Sequence, residues 1–267
     1  MALRVSIGQY YSANSPIHRI DPRVKIVATV VYMVSCFFVF DAPTLALAAA
    51  AVLAAVLAAR VPFGRLAAQT KPVALFLIIT SVFNLFFVQT GDLALAAGPI
   101  RVYTDGISAA VLYTTRFFLL LMAGGLLMLT TTPTALCDAC ERLLKPLERL
   151  GVPVTQAALV MSIALRFVPT LAQEADNIIA AQTARGADLE GKSALAYARA
   201  CVPLIVPLFA SALRHADNLG HAMDARCYTG GRGRTHYHTM AFQPKRDLPL
   251  VACLALYLAT LTALHLI

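Results

Sequence analysis

Five stretches of this chain are apolar enough, and nearly long enough, to cross a bilayer core of ~30 Å. They are Val24–Phe40, Pro43–Ala59, Pro72–Gln89, Ile107–Leu129 and Leu248–Ile267. Hydrocarbon offers no water to an unpaired peptide N–H or C=O, so such segments fold as helices that satisfy their own backbone. Only 13% of the 267 residues are charged, against about a quarter in an ordinary soluble domain. The second stretch is rich in Ala (Ala48 to Ala51, Ala54, Ala55, Ala58, Ala59). Small side chains let neighbouring helices approach closely, which predicts an interior helix. The first stretch is not a secretory signal, because its apolar run begins only after two dozen residues and no small-residue cleavage site follows. The expected fold class is all-α, a polytopic helical membrane protein with about five transmembrane spans.

The charges are unevenly placed. Residues 130–247 hold 13 of the 22 Lys/Arg and 10 of the 14 Asp/Glu, so an apolar body is interrupted by one amphipathic insert. Lys and Arg in short loops set orientation. Arg4, Arg19, Arg23 and Lys25 precede the first span, and Arg60, Arg65 and Lys71 lie between the second and third. The opposite loops carry only Arg101. This bias places the N-terminus and the insert in the cytoplasm and the C-terminus outside. The net charge of +8 therefore suits orientation and anionic lipid head groups. No basic stripe with interleaved aromatics is present, and no nucleic-acid partner is expected.

Within the insert, Thr132-Pro133-Thr134 opens a helix that Gly151 stops. Pro153 begins a longer one running to Ala184, with Pro169 inside it. A third runs to Arg226 and contains Pro203 and Pro207. Interior prolines bend such helices into two arms. The first arms are strongly apolar and the second alternate acidic, amide and Ala residues. A long, bent pair of this kind suits force transmission better than catalysis. The division expected is a four-span bundle over 1–130, a cytoplasmic helix pair over 131–247 and a last span over 248–267.

The pair carries one phrase twice. Ala175-Asp176-Asn177 is followed by Ala184-Arg185-Gly186, and, forty-one residues on, Ala216-Asp217-Asn218 is followed by Ala225-Arg226-Cys227. Each copy sets one arginine among small residues where a helix ends. A guanidinium so placed binds a carboxylate bidentately under a close-fitting partner, and two equivalent tips suggest two equivalent sockets.

Other patterns look chemical. Residues 186–193 match G-x-x-x-x-G-K-[ST], yet a helix end precedes them, and Asp188 and Glu190 sit where phosphates would nest. They read as an interhelical turn. His215, Asp217 and His221 share one helical arm, and Asp217 and His221 one face, short of a full metal-ligand set. Cys137 and Cys140 have no second pair at zinc spacing. Arg116 and Asn84 lie within spans; both are read as structural, with Arg116 near enough to the outer face to snorkel.

Over nearly its whole length the chain resembles the transmembrane T component of energy-coupling factor (ECF) transporters, ATP-driven importers of vitamins and transition-metal ions. The stretch from Ser15 to Lys25 resembles that family's entry to its first span. Leu165-Arg166-Phe167-Val168-Pro169-Thr170 resembles the start of its coupling helices, and the two Ala-Arg-small tips resemble its paired signatures. The resemblance implies a non-catalytic subunit of the inner membrane with no cofactor or metal. Its partners would be two cytoplasmic ABC-type ATPases and a small hydrophobic substrate-binding membrane subunit. Ala184, Arg185, Gly186, Ala225, Arg226 and Cys227 would be the ATPase-coupling residues, with Cys227 where the family more often has Gly. The competing reading is a self-contained carrier, or a metal-dependent membrane enzyme using His215, Asp217 and His221.

Overall fold

A computed structural model describes residues 10–11, 13–88, 90, 92–97, 100–186, 194–230 and 243–266. Helices α1 (Pro22–Cys36), α2 (Ala42–Ala59) and α3 (Phe63–Phe87) are followed by strands β1 (Leu93–Ala97) and β2 (Ile100–Tyr103). Then come α4 (Thr104–Thr130), α5 (Pro133–Leu144), α6 (Val154–Ala184), α7 (Ala194–Ala225) and α8 (Pro244–Leu266). The chain divides into two units, one of Gln9–Ala139 with His238–Ile267 and the other chiefly of Cys140–Tyr237.

Among the described residues, five helices are long and apolar enough to cross a membrane: Ala42–Ala59, Ala68–Phe87, Thr104–Thr130, Val154–Ala184 and Pro244–Leu264. The protein is an all-α, multi-pass membrane protein. Membership of that set differs from the sequence expectation at two helices. α1 stops after 15 residues, a rise of ~22 Å, and the apolar run continues to Phe40 as non-helical backbone. α6 enters the set because its apolar first arm outweighs its polar second arm.

The loop expected between the third and fourth spans contains a small antiparallel hairpin, with Leu95 opposite Val102 and Ala97 opposite Ile100. Ile100, Val102 and Tyr103 are β-branched or aromatic, which favours strand. Its base is closed by Thr104 N–H to the Asp92 carbonyl at 3.0 Å. One turn later, Gly106 lets α4 pass close to the end of α3, since a Cβ there would lie 2.9 Å from the Val88 carbonyl oxygen.

In the first unit α4 packs against α1, α2 and α3, and α8 against α1 and α2. The core joins Tyr32, Cys36 and Val39 to Val52, Val56, Leu119, Met122, Leu126 and Tyr257. α2 buries one stripe, Thr44, Ala48, Val52, Val56 and Ala59, while Leu53 and Leu57 are exposed. It is interior on one face only. Its Ala48 carbonyl accepts from Tyr32 Oη at 3.0 Å, a contact that a larger residue in the stripe would prevent.

Two buried cations serve helix ends. Arg116 is 8% exposed and donates to the Val39 carbonyl, with its guanidinium over the Phe40 and Tyr113 rings. It does not snorkel as the sequence suggested. The carbonyl freed where α1 unwinds gives it a partner, and a buried backbone acceptor needs one. Lys25 Nζ donates to the Thr130 carbonyl at 3.0 Å, at the end of α4. Asn84 donates back to the Thr80 carbonyl one turn earlier on α3.

The segment before α1 is tied to both neighbours. Tyr11 N–H reaches the Leu129 carbonyl at 3.0 Å, and Asp21 N–H reaches Asp247 Oδ1 at 2.9 Å. Ser15 Oγ lies 2.7 Å from His18 Nδ1, and His18 Nε2 lies 2.8 Å from the Tyr11 carbonyl. A carbonyl can only accept, so Nε2 carries the proton and Ser15 donates to Nδ1. Burial, with the Lys25 charge and against the Tyr11 carbonyl, holds His18 below its ordinary pKa of 6.5. The neutral ring is the folded form. Its contribution is complete above pH 6.5 and is lost as the pH falls from there toward the folded value. Amide exchange across residues 11–20, corrected for intrinsic rate, should lose protection between pH 7.5 and 5.5. In His18→Gln protection should be the same at both pH values; equal pH dependence in the two proteins would refute this assignment.

Candidate functional site

Glu148 starts the helix pair: Thr155 donates its N–H at 3.0 Å and its hydroxyl to Glu148 Oε1. These bonds from Thr155 hold the Glu148 carboxyl below its usual range. The cap's contribution is complete above that range and is lost as the pH falls from it through the lower folded value. α6 then runs 31 residues with Pro169 inside, and α7 runs 32 with Pro203 and Pro207 inside. A shift of forty-one residues carries Ala184 onto Ala225, so the two helices end at the same point of the repeat.

The ends have one geometry. In α6, Arg185 is the last capping residue, Gly186 follows at φ +88°, and Gly186 N–H returns to the Thr183 carbonyl at 2.9 Å. In α7, Cys227 takes φ +54°, its N–H returns to Asp224 at 2.9 Å, and Tyr228 N–H returns to Met223 at 3.1 Å. In α7 these are the paired bonds of a Schellman C-terminal cap, and α6 shows the one made by its left-handed residue. The cap explains the residue after each arginine. That position must be left-handed, which is free for glycine and strained for a residue with a Cβ. Smallness was the sequence-based reason; backbone handedness is the structural one. Arg185 and Arg226 are both exposed, and neither side chain forms an ion pair or hydrogen bond with another described residue. Ala184, Ala225, Gly186 and Cys227 are exposed beside them.

Eleven residues before each tip the helices touch. Ser211 Oγ donates to Glu174 Oε1, His215 Nε2 lies 3.5 Å from Glu174 Oε2, and the His215 ring lies 5.9 Å from Phe167. The later α6 residue meets the earlier α7 residue, so the helices run in opposite senses at this contact. Each tip stands ~16 Å beyond it at 1.5 Å per residue.

His215 is thus turned toward α6, while Asp217 and His221 are exposed. No group of three metal-binding side chains occurs among the described residues, and the three-residue metal site is not assembled. Residues 187–193 of the P-loop-like stretch, Lys192 included, lie outside the described residues. Cys137 and Cys140 are free thiols. Sequence reasoning missed the Glu174–His215 contact. Its signal was available, because each residue stands directly before an Ala-Asp-Asn copy.

A strained left-handed Cys227 should cost about 1 kcal/mol relative to glycine. Cys227→Gly should therefore slow amide exchange at residues 226–228, and Gly186→Val should speed it at 184–186 by a similar factor of about 5. Unchanged exchange in both variants would show that neither cap depends on backbone handedness.

The cobalt transport protein family, CbiQ, matches residues 13–237. The energy-coupling factor transporter transmembrane protein EcfT of Thermosediminibacter oceani is 41% identical over 231 residues, 86% of this chain and 87% of that protein. EcfT of Heliobacterium modesticaldum is 38% identical over 241 residues, 90% of each. A Bifidobacterium longum protein, provisionally described as an ABC transporter ATP-binding protein, is 44% identical over 252 residues. Those residues are 94% of this chain and 32% of that protein, so the chain spans about a third of that relative's length. With the family matched across most of its length and full-length relatives near 40% identity, the chain belongs to the CbiQ family and to its EcfT branch, the transmembrane components of energy-coupling factor transporters.

Proposed function

We propose that this chain is the non-catalytic coupling subunit of an ECF-type importer. It would transmit ATPase motion through α6 and α7 to a separate substrate-binding membrane subunit, for uptake of a vitamin or a transition-metal ion. Arg185 and Arg226 each enter a socket on one of two cytoplasmic ABC-type ATPases. The observation that carries this reading is the pair of matching helix ends, each with an exposed guanidinium that has no described partner. A free cation followed by a left-handed residue at each end of a repeat suits two like partners. The relative from Bifidobacterium longum, described as an ATP-binding protein and about three times as long as the matched region, supports a working association with ATPases.

The same reading places the protein in the cytoplasmic membrane with its N-terminus and residues 131–247 inside. Residues 1–130 and 248–267 form the membrane part. Seven basic residues in the inner short loops against one outside support that orientation. A cysteine introduced at Gly91 should react with an impermeant thiol reagent applied from outside, and one at Gly64 should not. The reverse pattern would overturn the orientation.

Truncating one partner of a desolvated, charge-assisted contact typically costs about 2–5 kcal/mol. Arg185→Ala and Arg226→Ala should each weaken ATPase co-purification or uncouple hydrolysis from uptake, and Arg185→Glu should be worse. Lysine should rescue only in part, because an ammonium cannot reproduce bidentate geometry. Wild-type ATPase co-purification and uptake in the double alanine variant would remove the main support for the coupling role.

A further inference from the structure

We propose that Glu174 and His215 form the fulcrum of the helix pair, positioning residues about which α6 and α7 pivot when the ATPases move; this rests on the coupling role above. The two residues are mates in the repeat, each directly preceding an Ala-Asp-Asn copy. In a helix pair built from two copies of one pattern, a residue meets its own mate only near the pseudo-twofold axis. Glu174 Oε2 lies 3.5 Å from His215 Nε2, so the axis passes through this contact. Both arginine tips lie eleven residues from it, at equal lever arms of ~16 Å. Points on the axis move least in a scissoring motion. A tip on such an arm moves about 3 Å for each 10° of rotation.

The side-chain chemistry at the axis fits a pivot. A perfect repeat would set like against like there, Glu on Glu or His on His. The chain breaks its own repeat at this position and sets a carboxylate against an imidazole. Ser211, 5% exposed, donates to Glu174 Oε1 and holds the carboxylate in the contact. The other oxygen is buried with no hydrogen bond and faces the His215 ring. The Phe167 ring lies 5.9 Å from that ring at a tilt of 40°. The two side chains are 28% and 39% exposed, and a pair so screened contributes little to stability. Its value lies in fixing where the helices cross, so substitutions here should leave the fold intact and alter motion.

The test uses the complete transporter, purified with its ATPases, with Glu174→His, His215→Glu and the exchanged double variant E174H/H215E. Spin labels on p-acetylphenylalanine, introduced at the exposed repeat mates Ala181 and Ala222, report the separation of the arms without and with ATP and vanadate. In the native protein and the exchanged variant the separation should shift between two narrow distributions. In His215→Glu and Glu174→His the ATPases should still co-purify, while the nucleotide-dependent shift falls at least twofold and broadens. A native-like shift in His215→Glu, or failure of the exchange to restore it, would overturn the fulcrum. Absence of ATPases from the purified native protein would instead overturn the coupling role, and the fulcrum with it.

Discussion

The membrane part of this protein depends on satisfying backbone carbonyls where helices end in an apolar setting. Helix interiors pair their own groups, but an end that falls inside the core leaves acceptors with no water to meet them. Among the described residues, a buried cation meets a carbonyl at two such ends. Arg116 of α4 meets the Val39 carbonyl where α1 has unwound, and Lys25 of α1 meets the Thr130 carbonyl where α4 stops. The exchange is reciprocal between the same two helices. It sets their offset and lets α1 be shorter than a span without stranding its backbone. Tyr11, Asp21 and Asp247 extend the arrangement to the entry segment and to the start of α8.

A bundle held in this way is a stiff frame, and the second unit is built differently. Glu174 and Phe167 of α6 meet Ser211 and His215 of α7 near one crossing. Beyond it, each polar arm exposes most of its side chains out to the tip. Helices whose polar arms are mostly exposed beyond a crossing can change angle with little loss of packing. In the proposed coupling role, force applied at an arginine tip would be carried along the hydrogen-bonded helix to the crossing.

Apolar length and loop charge made much of this legible in the residues alone. Segment lengths located the helices, because hydrocarbon forces a long apolar run to be helical, and the 41-residue repeat located Arg185 and Arg226, because its copies are local phrases. The hairpin between the third and fourth spans was hidden, because it depends on cross-strand pairing that no single run displays. The early stop of α1 at Cys36 was also hidden. Phe37 to Phe40 are as apolar as the turn before them, and what ends the helix there is the fit to α4.

Tertiary structure alone decided the partners. Arg116 looked isolated because its acceptor is a main-chain carbonyl 77 residues away, and a carbonyl has no letter in a sequence. Cys227 looked like a tolerated small residue until its φ placed it in the left-handed region, where handedness rather than volume is the constraint. His215 looked like half of a metal site beside Asp217 and His221, and it faces Glu174 on the other helix instead. The sequence by itself determined which segments are helical and where the two cationic tips stand, since both follow from interactions within a few turns of one chain segment. The structure decided what each buried charge answers and where the two helices cross, since those follow from distances between residues that only packing brings together.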